Sequence, residues 1–176
     1  MAKILIIYSS IDGHTLEICH LLQKVIEQQD QQVELVSVND AEHVNLMLFD
    51  KIVIGASIRY GKHSPKIYQF IKMNQKILES KANAFFSVNL VARKPDKNQP
   101  DTNPYLKKFL KQISWHPKEV AVFAGKIDYQ RYSTIDRQII RGIMWITHGP
   151  TDPNTIVEFT DWEQVKAFGK RVSRMQ

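Results

Sequence analysis

The stretch KILIIYSSIDGHT, residues 3–15, decides the fold. Its first part, Lys3–Ser9, is an almost continuous apolar run of strand length, which is typical of a strand buried on both faces of a parallel sheet. The residues that follow supply hydroxyls and a glycine and lead directly into a helical pattern. We therefore predict a strand, a tight loop and a helix, which form the first unit of an α/β sheet.

Four further segments have the composition of strands, and helical patterns lie between them. The predicted strands are Gln32–Val38, Asp50–Ala56, Ala82–Val88 and Glu119–Gly125. The predicted helices are Thr15–Gln29, a segment starting at Ser64-Pro65, a segment around Tyr105–Ile113 and a segment after the capping-box sequence Thr160-Asp161-Trp162-Glu163. This alternation predicts one domain, residues 1–176, with a doubly wound five-stranded parallel sheet covered by helices on both faces. Ligands of such sheets bind beyond the carboxyl ends of the strands.

Composition limits the function classes. The chain has 24 Lys and Arg against 18 Asp and Glu, a net charge of +6, which favours an anionic partner such as nucleic acid, anionic lipid or an acidic small molecule, or else an inert basic surface. The single cysteine, Cys19, excludes an intramolecular disulfide and a CxxC site. No His spacing indicates a metal site, so none is predicted. No apolar run has the length of a signal or transmembrane segment, so we expect a cytoplasmic protein or one on the cytoplasmic face of a membrane.

The first candidate loop leaves the first strand and opens a helix. It consists of Ser9, Ser10, Ile11, Asp12, Gly13, His14 and Thr15. Hydroxyls, a glycine and the free N–H groups of a helix start suit a phosphate monoester. The loop lacks both the Walker ending and the GxGxxG pattern of dinucleotide sites. A plain strand-to-helix turn is the alternative interpretation.

Two more loops follow predicted strands at the same edge of the sheet. The second loop consists of Ser57, Ile58, Arg59, Tyr60 and Gly61, and the third of Ser87, Val88, Asn89, Leu90, Val91 and Ala92, with Arg93 and Lys94 after it. The second loop offers an aromatic ring and a fixed charge to a flat ring system, and the backbone of the third suits the edge of a heterocycle. Each loop alone is also compatible with a simple connector. Together, the three loops have the layout of a flavodoxin.

Three segments closely resemble the menaquinone-dependent protoporphyrinogen IX dehydrogenases of bacteria. They are VIGASIRYG at residues 53–61, FSVNLVARKP at 86–95 and TDWEQV at 160–165. The resemblance implies a flavodoxin-like fold, bound FMN and six-electron oxidation of protoporphyrinogen IX to protoporphyrin IX in haem biosynthesis. It also implies an oxidoreductase acting on CH–CH groups that delivers electrons to menaquinone or ubiquinone. The chemistry would lie on the FMN, and no catalytic side chain is identified.

The resemblance also assigns the phosphate loop, whose flavodoxin pattern is roughly Ser/Thr-x-Thr-Gly-Asn-Thr. The residues that would hold the FMN phosphate are Ser10, Gly13, His14 and Thr15. Asp12 departs from the pattern, because a carboxylate would repel the phosphate unless it turns away to cap the helix.

The substrate side of the site is predicted from charge and from a missing aromatic. Arg59, Arg93 and Lys94 are the predicted partners of the substrate propionates, since arginine suits carboxylate recognition. Carrier flavodoxins commonly cover the flavin with aromatics from both later loops, whereas the third loop here has none. We therefore expect one face of the flavin to admit a flat substrate.

An insertion is predicted after the fifth strand, at approximately residues 126–154, because the connection is longer than a strand-to-helix link needs. Residues 126–148 have the pattern of a basic amphipathic helix. Its apolar stripe is Ile135, Ile139, Ile143 and Ile146, broadened by Ile140, Met144 and Trp145, with Arg131, Arg137 and Arg141 as its cations. Such a helix suits a membrane surface or the mouth of a quinone site, and packing on the core is equally compatible. We expect a peripheral protein on the cytoplasmic face of the inner membrane.

Three other functions compete with this interpretation. An NAD(P)H:quinone reductase would need a dinucleotide motif, which we do not find. An electron-carrier flavodoxin fits poorly with the long insertion and with a sequence pI near 9.4. No nucleic acid is expected as a partner, because the basic residues are dispersed and no binding motif is present. The sequence leaves formation of a homo-oligomer open.

Overall fold

The computed structural model describes all residues, 1–176, and contains a central sheet of five parallel strands. The strands are β1 (Lys3–Ser9), β2 (Gln32–Ser37), β3 (Lys51–Ser57), β4 (Ala82–Asn89) and β5 (Glu119–Ala124). Their order across the sheet is β2-β1-β3-β4-β5, and every pair is parallel. This order confirms the predicted flavodoxin-like doubly wound sheet. It reverses direction between β1 and β3, where ligands of such sheets bind.

Five helices surround the sheet. They are α1 (His14–Glu27), α2 (Pro65–Ser80), α3 (Pro104–Gln112), α4 (Thr134–Ile146) and α5 (Trp162–Arg174). Side chains of β1 alternate between the two faces, so Leu5 and Ile7 pack with α2 and α3 while Ile4 and Ile6 pack with α1 and α5. The sheet is therefore buried on both sides, as its near-continuous apolar strands predict. None of the helices is long and apolar enough to cross a membrane.

The insertion after β5 is not helical throughout, so the prediction of one helix over residues 126–148 is wrong at its start. The insertion begins with β6 (Lys126–Asp128), which pairs antiparallel with β7 (Ile156–Glu158). Ile127 is fully buried between two partly exposed neighbours. This alternation belongs to a strand, and the short segment offers no helical repeat to oppose it.

Local capping fixes where α4 and α5 begin. The Ser133 hydroxyl accepts a hydrogen bond from the Asp136 backbone N–H at 3.2 Å and starts α4. The capping box predicted from Thr160 is wrong, because Asp161 caps α5 instead. The Thr160 hydroxyl donates to the Ala124 carbonyl at 2.7 Å, at the end of β5.

Candidate functional site

A cleft lies at the carboxyl ends of β1, β3 and β4, and α4 forms one of its walls. The cleft contains about 940 Å³ of space, including the open volume at its mouth. The predicted residues that line it are Ser10, Ile11, Asp12, His14, Thr15, Ser57, Ile58, Arg59, Tyr60, Gly61, Val88, Asn89, Leu90 and Val91. Those that do not line it are Ser9, Gly13, Ser87, Ala92, Arg93 and Lys94. The structure thus brings the three predicted loops together at one cleft.

The first loop presents free backbone donors at the start of α1. Gly13 has a φ of 87°, which favours glycine, and its N–H donates to Ser10 Oγ at 3.1 Å. No side chain caps α1, and the N–H groups of His14, Thr15 and Leu16 have no acceptor within the protein. Since these donors lie at the positive end of the helix dipole, this end of the cleft is suited to an anion.

The imidazole of His14 is engaged elsewhere. Its Nε2 lies 2.6 Å from Thr160 Oγ1 and its Nδ1 lies 3.3 Å from Glu17 Oε2. His14, Glu17 and Glu158 bring three potential metal ligands within 4.8 Å of one another, but both ring nitrogens already have partners and both carboxylates are exposed. His14 therefore offers an anion its backbone N–H, and the absence of a metal site stays a prediction.

The second loop is a tight turn with an unusual residue. Arg59 and Lys62 exchange backbone hydrogen bonds of 2.9 and 3.2 Å. Tyr60 and Gly61 between them have φ angles of 51° and 75°, as in a type I′ turn. A tyrosine at positive φ is uncommon, and the turn leaves its ring 46% exposed beside the cleft. Strain held at such a position motivates a functional role for the ring.

Arg59 joins the first loop, the second loop and the insertion. Its guanidinium forms an ion pair with Asp12 and lies 3.5 Å from the Asp136 carboxylate in the first turn of α4. The same guanidinium is 5.4 Å from the centre of the Tyr132 ring. Arg131 donates to the Asp12 backbone carbonyl at 3.1 Å. The suggested capping of α1 by Asp12 is therefore wrong, because the Asp12 carboxylate is neutralised by Arg59 instead.

The third loop is held by a pair of buried amides. The Asn89 side-chain oxygen accepts from the Ala92 N–H at 3.0 Å, and Asn89 and Asn103 exchange side-chain hydrogen bonds of 3.0 and 3.2 Å. The Asn103 oxygen also accepts from the Leu106 N–H and caps α3. Because the Asn89 side chain is fully engaged, it positions the backbone of the loop.

Arg93 fastens the third loop to the end of α4. It donates to the Leu90 carbonyl at 2.9 Å, to the Thr147 carbonyl at 3.0 Å and to the Thr147 hydroxyl at 3.2 Å. Burial lowers the pKa of the Arg93 guanidinium from its ordinary value. Lys94 makes no side-chain hydrogen bond or ion pair. Of the predicted propionate partners, Arg59 and Arg93 are thus already paired, and the assignment of all three stays a prediction.

The sequence analysis did not assign several residues of the cleft lining. These are Tyr105, Gly125, Lys126, Tyr132, Ile140, Ile143, Met144 and Thr147. Most belong to the insertion, whose position over the cleft depends on contacts between distant residues. The weak signal that was available is the apolar pattern of α4, which left open where the helix packs.

The two faces of α4 have different surroundings. Ile140 and Met144 are 7% and 2% exposed and pack with Ile127 and two tyrosines. The opposite apolar side chains are exposed by 39 to 75%: Ile135, Ile139, Ile143, Trp145 and Ile146. These five define the apolar stripe of α4.

The arginines of α4 hold backbone carbonyls of the insertion. Arg137 donates to the Tyr129 carbonyl at 2.9 Å and Arg141 to the Thr151 carbonyl at 2.7 Å. They are therefore part of the folded insertion rather than a freely available basic face.

Comparison with known proteins is consistent with this architecture. The sequence model described as "Flavodoxin domain" matches residues 5–154. Among solved structures, oxidised Flavodoxin 1 from Bacillus cereus has a TM-score of 0.55 at 17% identity, covering 97% of both chains. A WrbA-like flavodoxin from Agrobacterium tumefaciens has a TM-score of 0.53 at 15% identity, covering 98% of this chain and 96% of that one. At these identities the likeness concerns the fold alone.

Two curated relatives are much closer in sequence. The protein named protoporphyrinogen IX dehydrogenase [quinone] from Escherichia coli K12 is 41% identical over 173 residues, which is 98% of this chain and 96% of the relative. The protein of the same name from Leishmania major is 41% identical over 167 residues, which is 94% of this chain and 72% of the relative. The chain therefore belongs to the flavodoxin domain family and, within it, to the family of protoporphyrinogen IX dehydrogenases [quinone].

Proposed function

We propose that this protein is an FMN-dependent oxidoreductase that converts protoporphyrinogen IX to protoporphyrin IX and passes the electrons to a quinone. The observation that carries the proposal is the cleft, which combines an uncapped helix start, an exposed tyrosine at positive φ and an apolar wall from α4. Membership of the dehydrogenase family supplies the substrate class.

The residues present fit FMN. The free N–H groups of His14, Thr15 and Leu16 would hold its phosphate. The Ser57 hydroxyl is buried without any hydrogen-bond partner although Ser57 lines the cleft. Buried polar groups are almost always paired, so an unpaired hydroxyl at this position supports a ligand that bonds to it.

The side chains around the cleft orient the reactants and exclude water. Bound FMN would supply the redox chemistry, which for the porphyrinogen amounts to three two-electron oxidations with three quinones reduced to quinols. Tyr60 would lie against one side of a flat ring system, while the backbone of Leu90 and Val91 would contact its edge. The third loop carries no aromatic, which leaves room for a flat substrate beside the flavin.

The apolar stripe of α4 supports a peripheral position on a membrane. Trp145 and Ile146 are 75% and 70% exposed, while Ile143 belongs both to the stripe and to the cleft. A contiguous apolar surface of this kind typically meets a partner or a lipid surface. A quinone dissolved in the bilayer would then reach the cleft along α4. We propose the cytoplasmic face of the inner membrane as the location, with menaquinone or ubiquinone as acceptor.

The activity is tested anaerobically with purified protein, FMN and protoporphyrinogen IX, with a menaquinone analogue or a ubiquinone analogue as acceptor. Porphyrin fluorescence is expected to rise only when protein, FMN and a quinone are all present, and the two acceptors are ranked by rate. No rise above the spontaneous rate, in protein that holds FMN, would refute the proposed function.

The membrane proposal has its own test by flotation with anionic vesicles. Trp145→Glu/Ile146→Glu is expected to lose most vesicle binding. The matched control, Met47→Glu/Leu48→Glu, changes two side chains exposed by 66% and 62% elsewhere on the surface and is expected to keep it. Equal flotation of the two variants would contradict a role for α4. Light scattering of the unbound protein tests for a homo-oligomer.

A further inference from the structure

A second groove adjoins the main cleft on the side away from α4. It lies between the second loop and α3 and shares Gly61 and Tyr105 with the cleft. Lys62 and Lys108 line it, and neither ammonium group has a hydrogen bond or an ion pair within the protein. No carboxylate lines the groove.

The charge of the chain is concentrated around this groove. Residues 51–118, which include α2 and α3, contain 14 Lys and Arg against 3 Asp and Glu, a net charge of +11. The remaining residues contain 10 Lys and Arg against 15 Asp and Glu, a net charge of −5. The positive potential of the protein is therefore strongest on the α2–α3 side of the sheet.

The groove also contains a buried donor without a partner. His63 lines the groove and is 3% exposed, and its Nε2 lies 2.8 Å from Ser87 Oγ. The Ser87 oxygen accepts from the Asn89 amide, and His63 Nε2 is the one acceptor that its own proton reaches. In that arrangement the His63 proton sits on Nδ1, which pairs with nothing in the protein and is available to an acceptor in the groove.

We propose that this groove binds the propionate carboxylates of the porphyrin, an inference that rests on the proposed function. Lys62 and Lys108 supply the charge and His63 Nδ1 supplies a directed donor, while the macrocycle extends over Gly61 into the main cleft. Two observations favour this groove over the arginines first suggested by the sequence. Arg59 is already paired with two carboxylates, and Arg93 is bonded to backbone and hydroxyl oxygens of the third loop and α4.

The test measures binding of protoporphyrin IX and of its dimethyl ester to the FMN-loaded protein by porphyrin fluorescence. The ester keeps the macrocycle and lacks the negative charges. Lys62→Gln/Lys108→Gln is expected to bind protoporphyrin IX about tenfold or more weakly, since two charge-assisted contacts are removed. Its affinities for the ester and for FMN are expected to stay at the wild-type values.

The matched control is Lys72→Gln/Lys76→Gln, which removes the same charge from exposed positions of α2 outside the groove. It is expected to bind protoporphyrin IX within about twofold of the wild type. Equal weakening in both double variants would reduce the effect to the general field of the protein and overturn the assignment. So would unchanged affinity in Lys62→Gln/Lys108→Gln. Failure of FMN-loaded wild type to bind either porphyrin would instead count against the proposed function.

Discussion

The pairing of Arg59 with Asp12 leads to a sharp prediction about cofactor affinity. If Arg59 neutralises Asp12 beside the phosphate site, Arg59→Gln leaves an uncompensated carboxylate there and FMN binding weakens. Asp12→Asn removes the carboxylate itself and is expected to bind FMN at least as tightly as the wild type. The double variant, Arg59→Gln/Asp12→Asn, is expected to regain most of the lost affinity, because neither charge is left.

The magnitude follows from Coulomb's law. A carboxylate about 6 Å from a phosphate monoester of charge near −2 is repelled by about 3 kcal/mol at an effective dielectric of about 40. The Asp12 side chain is 32% exposed, so screening by water and salt reduces this figure to roughly 1–2 kcal/mol. We expect Arg59→Gln to weaken FMN binding by about 10- to 30-fold at low salt.

The assay is a titration of apoprotein with FMN, followed by quenching of flavin fluorescence at low and high salt. The loss in Arg59→Gln should shrink at high salt, because repulsion between partly exposed charges is screened. Asp136→Asn is the matched control, since it removes the second carboxylate partner of Arg59 at the start of α4 and keeps the pair with Asp12. Its FMN affinity is expected to change by less than about threefold.

The double variant decides whether the reasoning holds. If Arg59→Gln/Asp12→Asn binds FMN as weakly as Arg59→Gln alone, the arginine contributes by contacting the cofactor directly. If Arg59→Gln leaves FMN affinity unchanged and weakens only porphyrin binding, the arginine is a propionate partner, as the sequence first indicated. Either result would refute the neutralising role.

Two further predictions concern stability, measured by urea unfolding. Burial lowers the pKa of His63 from 6.5 to about 4, so the unfolded chain gains a proton there before the folded protein does. The free energy of unfolding should fall by up to about 3 kcal/mol between pH 6.5 and pH 4 on this account, and His63→Gln should lose that part of the pH dependence. Gly55→Ala would place a methyl 2.1 Å from the Phe86 ring and is expected to destabilise the protein by about 3 kcal/mol or more. Gly142→Ala has open space in an exposed part of α4 and should stabilise it by up to about 1 kcal/mol; equal effects of the two alanines would contradict the packing explanation.

The sheet was predictable because its signal is local. Lys3–Ser9 has the predicted bounds, and the other four strands differ by one residue at an end, because near-continuous apolar runs of this length are typical of buried parallel strands. The Ser64 cap and the proline after it likewise located the start of α2. The capping box at Thr160 misled because Thr160 and Asp161 are both good caps, and the choice depends on a bond from Thr160 to the distant Ala124.

Long-range pairings explain what the sequence did not disclose. The strand at Lys126–Asp128 has only three residues and depends on Ile156–Glu158, which lies about 30 positions away along the chain. The ion pair between Asp12 and Arg59 also joins segments that no local pattern connects. A basic residue beside a predicted cleft therefore has two interpretations, ligand partner or internal clamp, and only the folded arrangement distinguishes them.

The positions of the paired and unpaired cations also suggest an order to the site. Arg59 and Arg93 hold the insertion against the second and third loops, so the wall formed by α4 offers mainly apolar contacts. Unpaired lysines lie on the opposite side, along α3. A dicarboxylate macrocycle would therefore place its charged edge toward α3 and its apolar edge toward α4, where a quinone arriving from a bilayer would also enter. Substrate and acceptor would then approach the flavin from opposite ends of one cleft, which allows the porphyrin to stay bound through successive two-electron steps.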